Sequence, residues 1–296
     1  MNPIFPYCLR ETGLAWAAAF LVCYAPIGSA AAGTDGNMVL RFVKSHKIAD
    51  PAHDFTEVSG LSLAQGGGFW SVSDDTARLF HLDDEGKIRK KSSLPSDPGL
   101  EGVALDPAGG RILAVREDTS EILAIAQDGT LTRHSILAMD GADGLAVYFS
   151  ASDTNDGLEG ITVDPESGAV FVIKERTPRL LIEISPDLTS IRRVITLTEA
   201  AGFASDQADD DRLDVSGLEW DPSRQGLWIT SDTGKAIFLF SMSTLHAKGW
   251  ALLSDDKGKP HRVSNAEGVA LAADGRSVFV VTDDGNKSRL LEYRID

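Results

Sequence analysis

Eight carboxylates recur at fixed places along the chain. Glu101, Glu159 and Glu267 each stand immediately before a glycine, in "LEGVALD", "LEGITVD" and "AEGVALA". Glu117, Glu175 and Asp283 follow 15 residues after those glycines. Asp74 and Asp232 hold the same place, 14 and 15 residues after the glycines of two "VSGL" stretches, where Ser59 and Ser216 replace the Glu. A group of oxygen-only donors selects hard cations, Ca²⁺ or Mg²⁺. The six histidines (His46, His53, His81, His134, His246, His261) show no metal-ligand spacing, so zinc is not expected.

Bringing such groups together is unfavourable unless something offsets it. Like unit charges a few Å apart repel by on the order of 1–4 kcal/mol at effective dielectrics of 80 to 20. A raised carboxylate pKa, a basic partner or a bound cation relieves this. Arg116, Lys174 and Arg176 adjoin two of the acids in sequence, but strand alternation sends neighbours to opposite sides. The competing expectation is purely architectural. Gly permits close backbone approach, Glu accepts N–H bonds from a neighbouring strand, and Asp after a strand is an ordinary turn residue.

The elements that must position these residues show the same repetition. Anchored on Gly60, Gly102, Gly160, Gly217 and Gly268, five copies lie 42, 58, 57 and 51 residues apart. That period fits propeller blades. Within a copy, two short period-two strands are joined by a turn, as in "GVALDPAGGRILAVRED". Third strands follow ("EILAIAQDG", "RLLIEISPD", "AIFLFSMS", "RLLEYRID"), and weaker fourth ones ("LTRHSILA", "SIRRVITL", "GWALLS"). Four short antiparallel strands per unit predict a five-bladed β-propeller, all-β, over Gly33–Asp296, with six blades as the alternative. The last copy has three strands. "NMVLRFVKSHKI" at the other end supplies the fourth and leaves no open sheet edge.

The anchor glycines therefore begin the innermost strands, and the second strands end beside them. All eight carboxylates converge on one face near the axis. The two longest insertions, "AMDGADGLAVYFSASDTND" and "TEAAGFASDQADDDRLD", precede the third and fourth anchors and are expected to wall that face. The segment "DQADDDRLD" alone reads as a solvated acidic loop. The Asp-Pro pairs at Asp106, Asp164 and Asp221 are turns, and Trp70 and Trp228 are expected in the core between blades. "DTNDGLEG" only faintly resembles a calcium loop.

The chain has 296 residues and a net charge of −16, from 28 basic and 44 acidic residues. Such a surface repels phosphate, so nucleic acid and anionic lipid are not expected partners. Arg10, the apolar run from Gly13 to Gly28 and the small residues Ala30–Ala32 read as a secretory signal peptide over residues 1–32. It would take Cys8 and Cys23, the two cysteines of the chain, with it. The expected mature protein is periplasmic or secreted, monomeric, and without a membrane span. No nucleophile elbow, phosphate loop, dinucleotide fingerprint or H-E-x-x-H is present.

"VSGLSLA…FWSVSDD", "GLEGVALDP…LAVRED", "GLEGITVDP…VFVIKER" and "VSGLEWDP…LWITSD" together resemble the SdiA-regulated (YjiK-like) family of exported bacterial proteins. The likeness runs over nearly the whole mature chain. Esterase-like phytase-family propellers share the blade openings less closely. The resemblance implies a β-propeller outside the cytoplasm and lends no catalytic residues. By analogy with calcium-dependent propeller hydrolases, it carries a cation site onto Glu101, Glu159 and Glu267. Two functions are expected in competition. One is a module binding a divalent cation, Ca²⁺, and a small or polymeric ligand at the channel mouth. The other is a metal-dependent hydrolase of phosphate or carboxylic esters.

Overall fold

A computed structural model describes residues 38–149, 157–255 and 258–296. The chain divides into two units, Met1–Asp35 and Gly36–Asp296, and the described residues belong to the second. The leader and Asp153–Asp156 of "DTNDGLEG" lie outside the described residues.

The strands begin with β1 (Leu40–Lys47). Blade 1 follows as β2 (Val58–Leu63), β3 (Phe69–Ser73), β4 (Thr76–Leu82) and β5 (Ile88–Ser93). Blade 2 is β6 (Leu100–Asp106), β7 (Arg111–Arg116), β8 (Glu121–Ala126) and β9 (Leu131–Ser135). Blade 3 is β10 (Leu158–Val163), β11 (Val170–Lys174), β12 (Leu180–Ile184) and β13 (Ile191–Thr196). Blade 4 is β14 (Leu218–Asp221), β15 (Gly226–Ser231), β16 (Ala236–Ser241) and β17 (His246–Ala251). A small hairpin, β18 (Leu253–Ser254) and β19 (His261–Arg262), leads to blade 5: β20 (Ala266–Leu271), β21 (Ser277–Thr282) and β22 (Arg289–Ile295). Each blade is an antiparallel four-stranded sheet, and the fifth has the order β1-β22-β21-β20. Helical structure among the described residues is confined to short 3₁₀ turns, and none of it is long and apolar enough to cross a membrane.

Ring closure is carried by β1. It pairs antiparallel with β22 from Leu40↔Ile295 to Lys47↔Arg289. Phe42 meets the Tyr293 ring edge-on at 5.9 Å, and Trp250 Nε1 of blade 4 donates to the Met38 carbonyl at 3.1 Å.

The apolar pattern follows from blade stacking. Middle strands are covered on both faces, so β15 and β16 are apolar nearly throughout and almost wholly buried. Outer strands are half-solvated, and β17 exposes His246, Lys248 and Gly249. Five hydrophobic clusters result, one for each interface between blades. Trp228 is fully buried, with its Nε1 donating to Asp221 at 3.0 Å. Trp70 is half-buried: it packs against the cluster between blades 1 and 2, and its ring lies 4.7 Å from that of His81, tilted by 32°.

The Asp-Pro aspartates close turns. Asp106 accepts from Gly109 N, Asp164 from Glu166 N, and Asp221 from Ser223 N and Arg224 N.

Candidate metal centre at the channel mouth

The anchor glycines are where the blades touch. A Cβ on Gly60 would lie 2.9 Å from the Glu101 carbonyl oxygen. The same test puts Gly102 at 2.4 Å from Glu159 O, Gly160 at 2.7 Å from Ser216 O, and Gly217 at 2.3 Å from Glu267 O. Gly268 completes the circle at 2.6 Å from Ser59 O. Each inner strand thus rests backbone to backbone on the next, and no side chain fits between them. The architectural expectation for glycine is correct.

The same contact aims the preceding residue at the axis. In four blades the inner strand loses register over the two residues before Leu61, Val103, Ile161 and Val269. Bulges of this kind re-aim side chains and are frequent beside functional sites. Glu101, Glu159 and Glu267 are half-buried there, around an axial void of about 10 Å³. A void of that order admits one water-sized occupant. The two serines are taken up by neighbours. The Ser59 hydroxyl hydrogen-bonds the Glu101 carboxyl, and Ser216 Oγ donates to Ala266 O at 2.6 Å.

The second-strand acids gather above this ring. Glu117, Glu159 and Glu175 present oxygens that all lie within 4.8 Å of one another. Glu117 Oε1 also accepts from Gly157 N at 3.2 Å. Burial, then the charges of Asp74 and Glu117, push Glu101 up to about 8. Burial, then Glu101, Glu267 and Glu175, hold Glu159 well above the usual carboxylate range. Glu267 is raised likewise by burial and by Asp232 and Glu101. Burial raises Asp283 to about 7, assisted by a carboxyl–carboxyl hydrogen bond with Glu57. Asp74 and Asp232 are also raised, chiefly by burial. Glu101, Glu159 and Glu267 thus feel the charges of Asp74, Glu117, Glu175, Asp232 and Asp283.

The bases adjoining these acids have partners of their own. Arg116 is buried, and its Nη2 pairs with Asp118 at 2.9 Å. Alternation turns it away from Glu117 as expected. Lys174 Nζ donates to the Arg176 carbonyl and lies over the Phe149 ring at 5.7 Å. Arg176 does pair with Glu175, at 3.2 Å.

A family model matches residues 47–284, described as SdiA-regulated. The chain belongs to the SdiA-regulated family. Among solved structures, this SdiA-regulated propeller is similar to the glutaminyl cyclase of Myxococcus xanthus. The two are 15% identical over 88% of this chain and 97% of that one, with a TM-score of 0.59. It is also similar to a chain of a nidogen/laminin complex, 15% identical over 83% and 86%, with a TM-score of 0.50. Likeness at this identity speaks for the shared fold alone.

Two acids of the SdiA-regulated propeller's mouth escaped the repeat alignment. Glu57 and Asp214 stand two residues before Ser59 and Ser216, in the two blades that lack the ring Glu. The other three blades have Gly99, Gly157 and Asn265 there. In these two blades an acid two residues upstream accompanies the missing ring Glu. Asp214 is buried, accepts from Ser231 Oγ at 2.7 Å, and its charge acts on Glu267 and Asp232. The signal was a Ser at one position matched by an acid two residues earlier.

The insertion before blade 4 is more than a solvated loop. Buried Arg179 donates to Leu197 O at 2.9 Å and Leu213 O at 2.8 Å, and pairs with Asp210. Asp206 pairs with Arg262 at 2.8 Å. These ties pin the acidic segment to blade 3 and to the β18–β19 hairpin, because a run of like charges gains by meeting fixed bases.

Proposed function

We propose that the channel mouth of this SdiA-regulated propeller binds one divalent cation of the Ca²⁺ type, in a protein exported behind its N-terminal leader. The observation that carries the proposal is the convergence of Glu117, Glu159 and Glu175 to within 4.8 Å. Ligands on one Ca²⁺ sit at about 2.3–2.6 Å from it, so they lie at most about 5 Å apart. Glu101 and Glu267, held protonated by burial and by their neighbours, supply further oxygens once the ion displaces their protons. The donor set is all oxygen, which suits a hard cation and not zinc.

The chemistry available to the site alone is cation capture with proton release. The ion would cross-link three blades at the axis and present its open positions to a ligand lying on that face. Equilibrium dialysis of EDTA-stripped protein against ⁴⁵Ca²⁺ tests the binding, with one ion per chain expected. Phosphate-ester, carboxyl-ester and lactone substrates, run with and without Ca²⁺, separate a binder from a hydrolase. The expected result is binding without metal-dependent turnover. Intact mass of the exported protein tests the leader: a mature chain lacking both cysteines is expected.

A further inference from the structure

The channel has a second mouth, at the opposite ends of the inner strands. Two residues past each anchor glycine, these strands carry Ser62, Ala104, Thr162, Glu219 and Ala270. Ser62, Ala104, Thr162 and Glu219 line a cavity of about 330 Å³, within the range of small-molecule sites. Leu63, Leu105, Val163 and Leu271 give it apolar walls. No Lys, Arg or His lines it among the described residues.

Glu219 is the unusual group there. It accepts from Thr162 Oγ1 at 3.3 Å and from the Leu271 backbone N–H. Thr162 Oγ1 itself accepts from Trp220 N at 3.0 Å, so its single proton is directed at Glu219. A carboxylate offers about four acceptor positions, and two are used. The other acids of the cavity are differently placed. Asp221 is fully buried and held by Arg224 Nη1 at 2.7 Å and by the Trp228 indole. Asp274 accepts from Arg276 N within its own turn. Glu219 is half-buried, and once ionised it has no counter-charge in the cavity lining.

We propose that this second mouth binds a small primary ammonium with an apolar body, its charge on Glu219 and its hydrocarbon against the Leu/Val walls. An anion would meet negative potential with no base to receive it. A Ca²⁺ ion would find Glu219 and a few hydroxyls beside an Asp221 already paired with Arg224 and an exposed Asp274, where it needs six to eight oxygens. A neutral hydrocarbon would leave the remaining hydrogen-bonding positions of Glu219 unmet.

Empty, the site holds a proton. Burial pushes Glu219 up to about 8, with a smaller contribution from Asp221. The other four inner strands place no titratable group at its level. An alkylammonium must displace that proton, so its affinity rises with pH through this range. The amine itself stays charged, as a lysine side chain does.

The test is isothermal titration of the folded protein with n-pentylammonium in EDTA, with pentanoate and 1-pentanol as controls. Saturable binding of the ammonium alone is expected, tightening at least about tenfold between pH 6.5 and 8.5. Glu219→Gln should weaken it at least about tenfold, and saturating Ca²⁺ should leave it unchanged. The wild-type pH series stands even if the variant does not fold. Equal binding of pentanol, a pH-independent Kd, retained affinity in a folded Glu219→Gln variant, or competition by Ca²⁺ would each overturn the proposal.

Discussion

Gly268 and Ser59 meet with no room for a methyl group. The Cβ that Gly268 lacks would lie 2.6 Å from the Ser59 carbonyl oxygen and 2.7 Å from Leu61 N. One residue opens the last blade and the other the first, so this contact is where the ring closes on its inner side.

Gly268→Ala and Gly102→Ala should therefore wedge adjacent inner strands apart. Overpacking of a filled site typically costs about 1–3 kcal/mol. Here the opposing atoms are backbone, which cannot swing aside, so the upper end is expected. Urea midpoints measure it. Variants unfolding with the wild-type midpoint would mean that the blades are not in backbone contact at the axis.

The outer side of the same closure is β1. Removing Met38–Lys47 leaves the donors and acceptors of β22 unpaired and uncovers Tyr293 and Trp250. An open apolar edge recruits other chains. Size-exclusion chromatography of the truncated protein should show aggregates, and any monomer should melt lower. A monomer with the wild-type melting temperature would contradict the closure.

The carboxylate mouth makes stability fall with pH when no cation is present. An exposed glutamate titrates near about 4.3, whereas Glu101 holds its proton to about 8 and Asp283 to about 7. Between those values the native state binds more protons than the unfolded chain, so stability declines as pH rises. Glu159, Glu267 and, at the far mouth, Glu219 act in the same direction. Melts in EDTA should drop by several degrees between about pH 5 and pH 8. Millimolar Ca²⁺ should flatten the decline, since it takes the place of the protons. A melting temperature that rises with pH in EDTA would refute the electrostatic account.

Removing the base that sits on the mouth sharpens the effect. Arg176→Ala leaves Glu175 without its 3.2 Å partner and adds net repulsion among the acids. The pair is partly exposed, so the loss without cation should be modest, about 1 kcal/mol or less. Thermal melts should show a larger Ca²⁺-induced rise in this variant than in wild type. An unchanged Ca²⁺ increment would mean that Arg176 does not balance the site.

The blades were legible because their signals are local. Turn chemistry, period-two alternation and a repeated Gly reveal each hairpin within a few residues, and counting strands gives the closure by β1. The expectation that eight acids converge came from the same alignment, and Glu117, Glu159 and Glu175 are the three whose oxygens lie within 4.8 Å of one another. Glu57 and Asp214 were not seen because they occupy a different column of the repeat, two residues upstream. The anchoring of the acidic segment rests on Arg179–Asp210 and Asp206–Arg262, contacts 31 and 56 residues apart in sequence. Trp70 and Trp228 share a position in the pattern, yet only Trp228 is sealed. What covers a residue depends on the neighbouring blade, which local pattern does not encode.

The central claim is that a cation, and not architecture alone, holds the carboxylates together. Calorimetric titration of EDTA-stripped protein with Ca²⁺ at pH 7.5, for wild type and Glu159→Gln, tests it most directly. Wild type should bind one ion per chain with proton release, gaining about 2.7 kcal/mol of stability at a hundredfold excess over Kd. Glu159→Gln should bind far more weakly, yet be at least as stable as wild type in EDTA, because a buried repulsion has been removed. No binding heat at two temperatures, no metal in the purified protein by elemental analysis, and equal melting temperatures in EDTA and Ca²⁺ would together contradict the account.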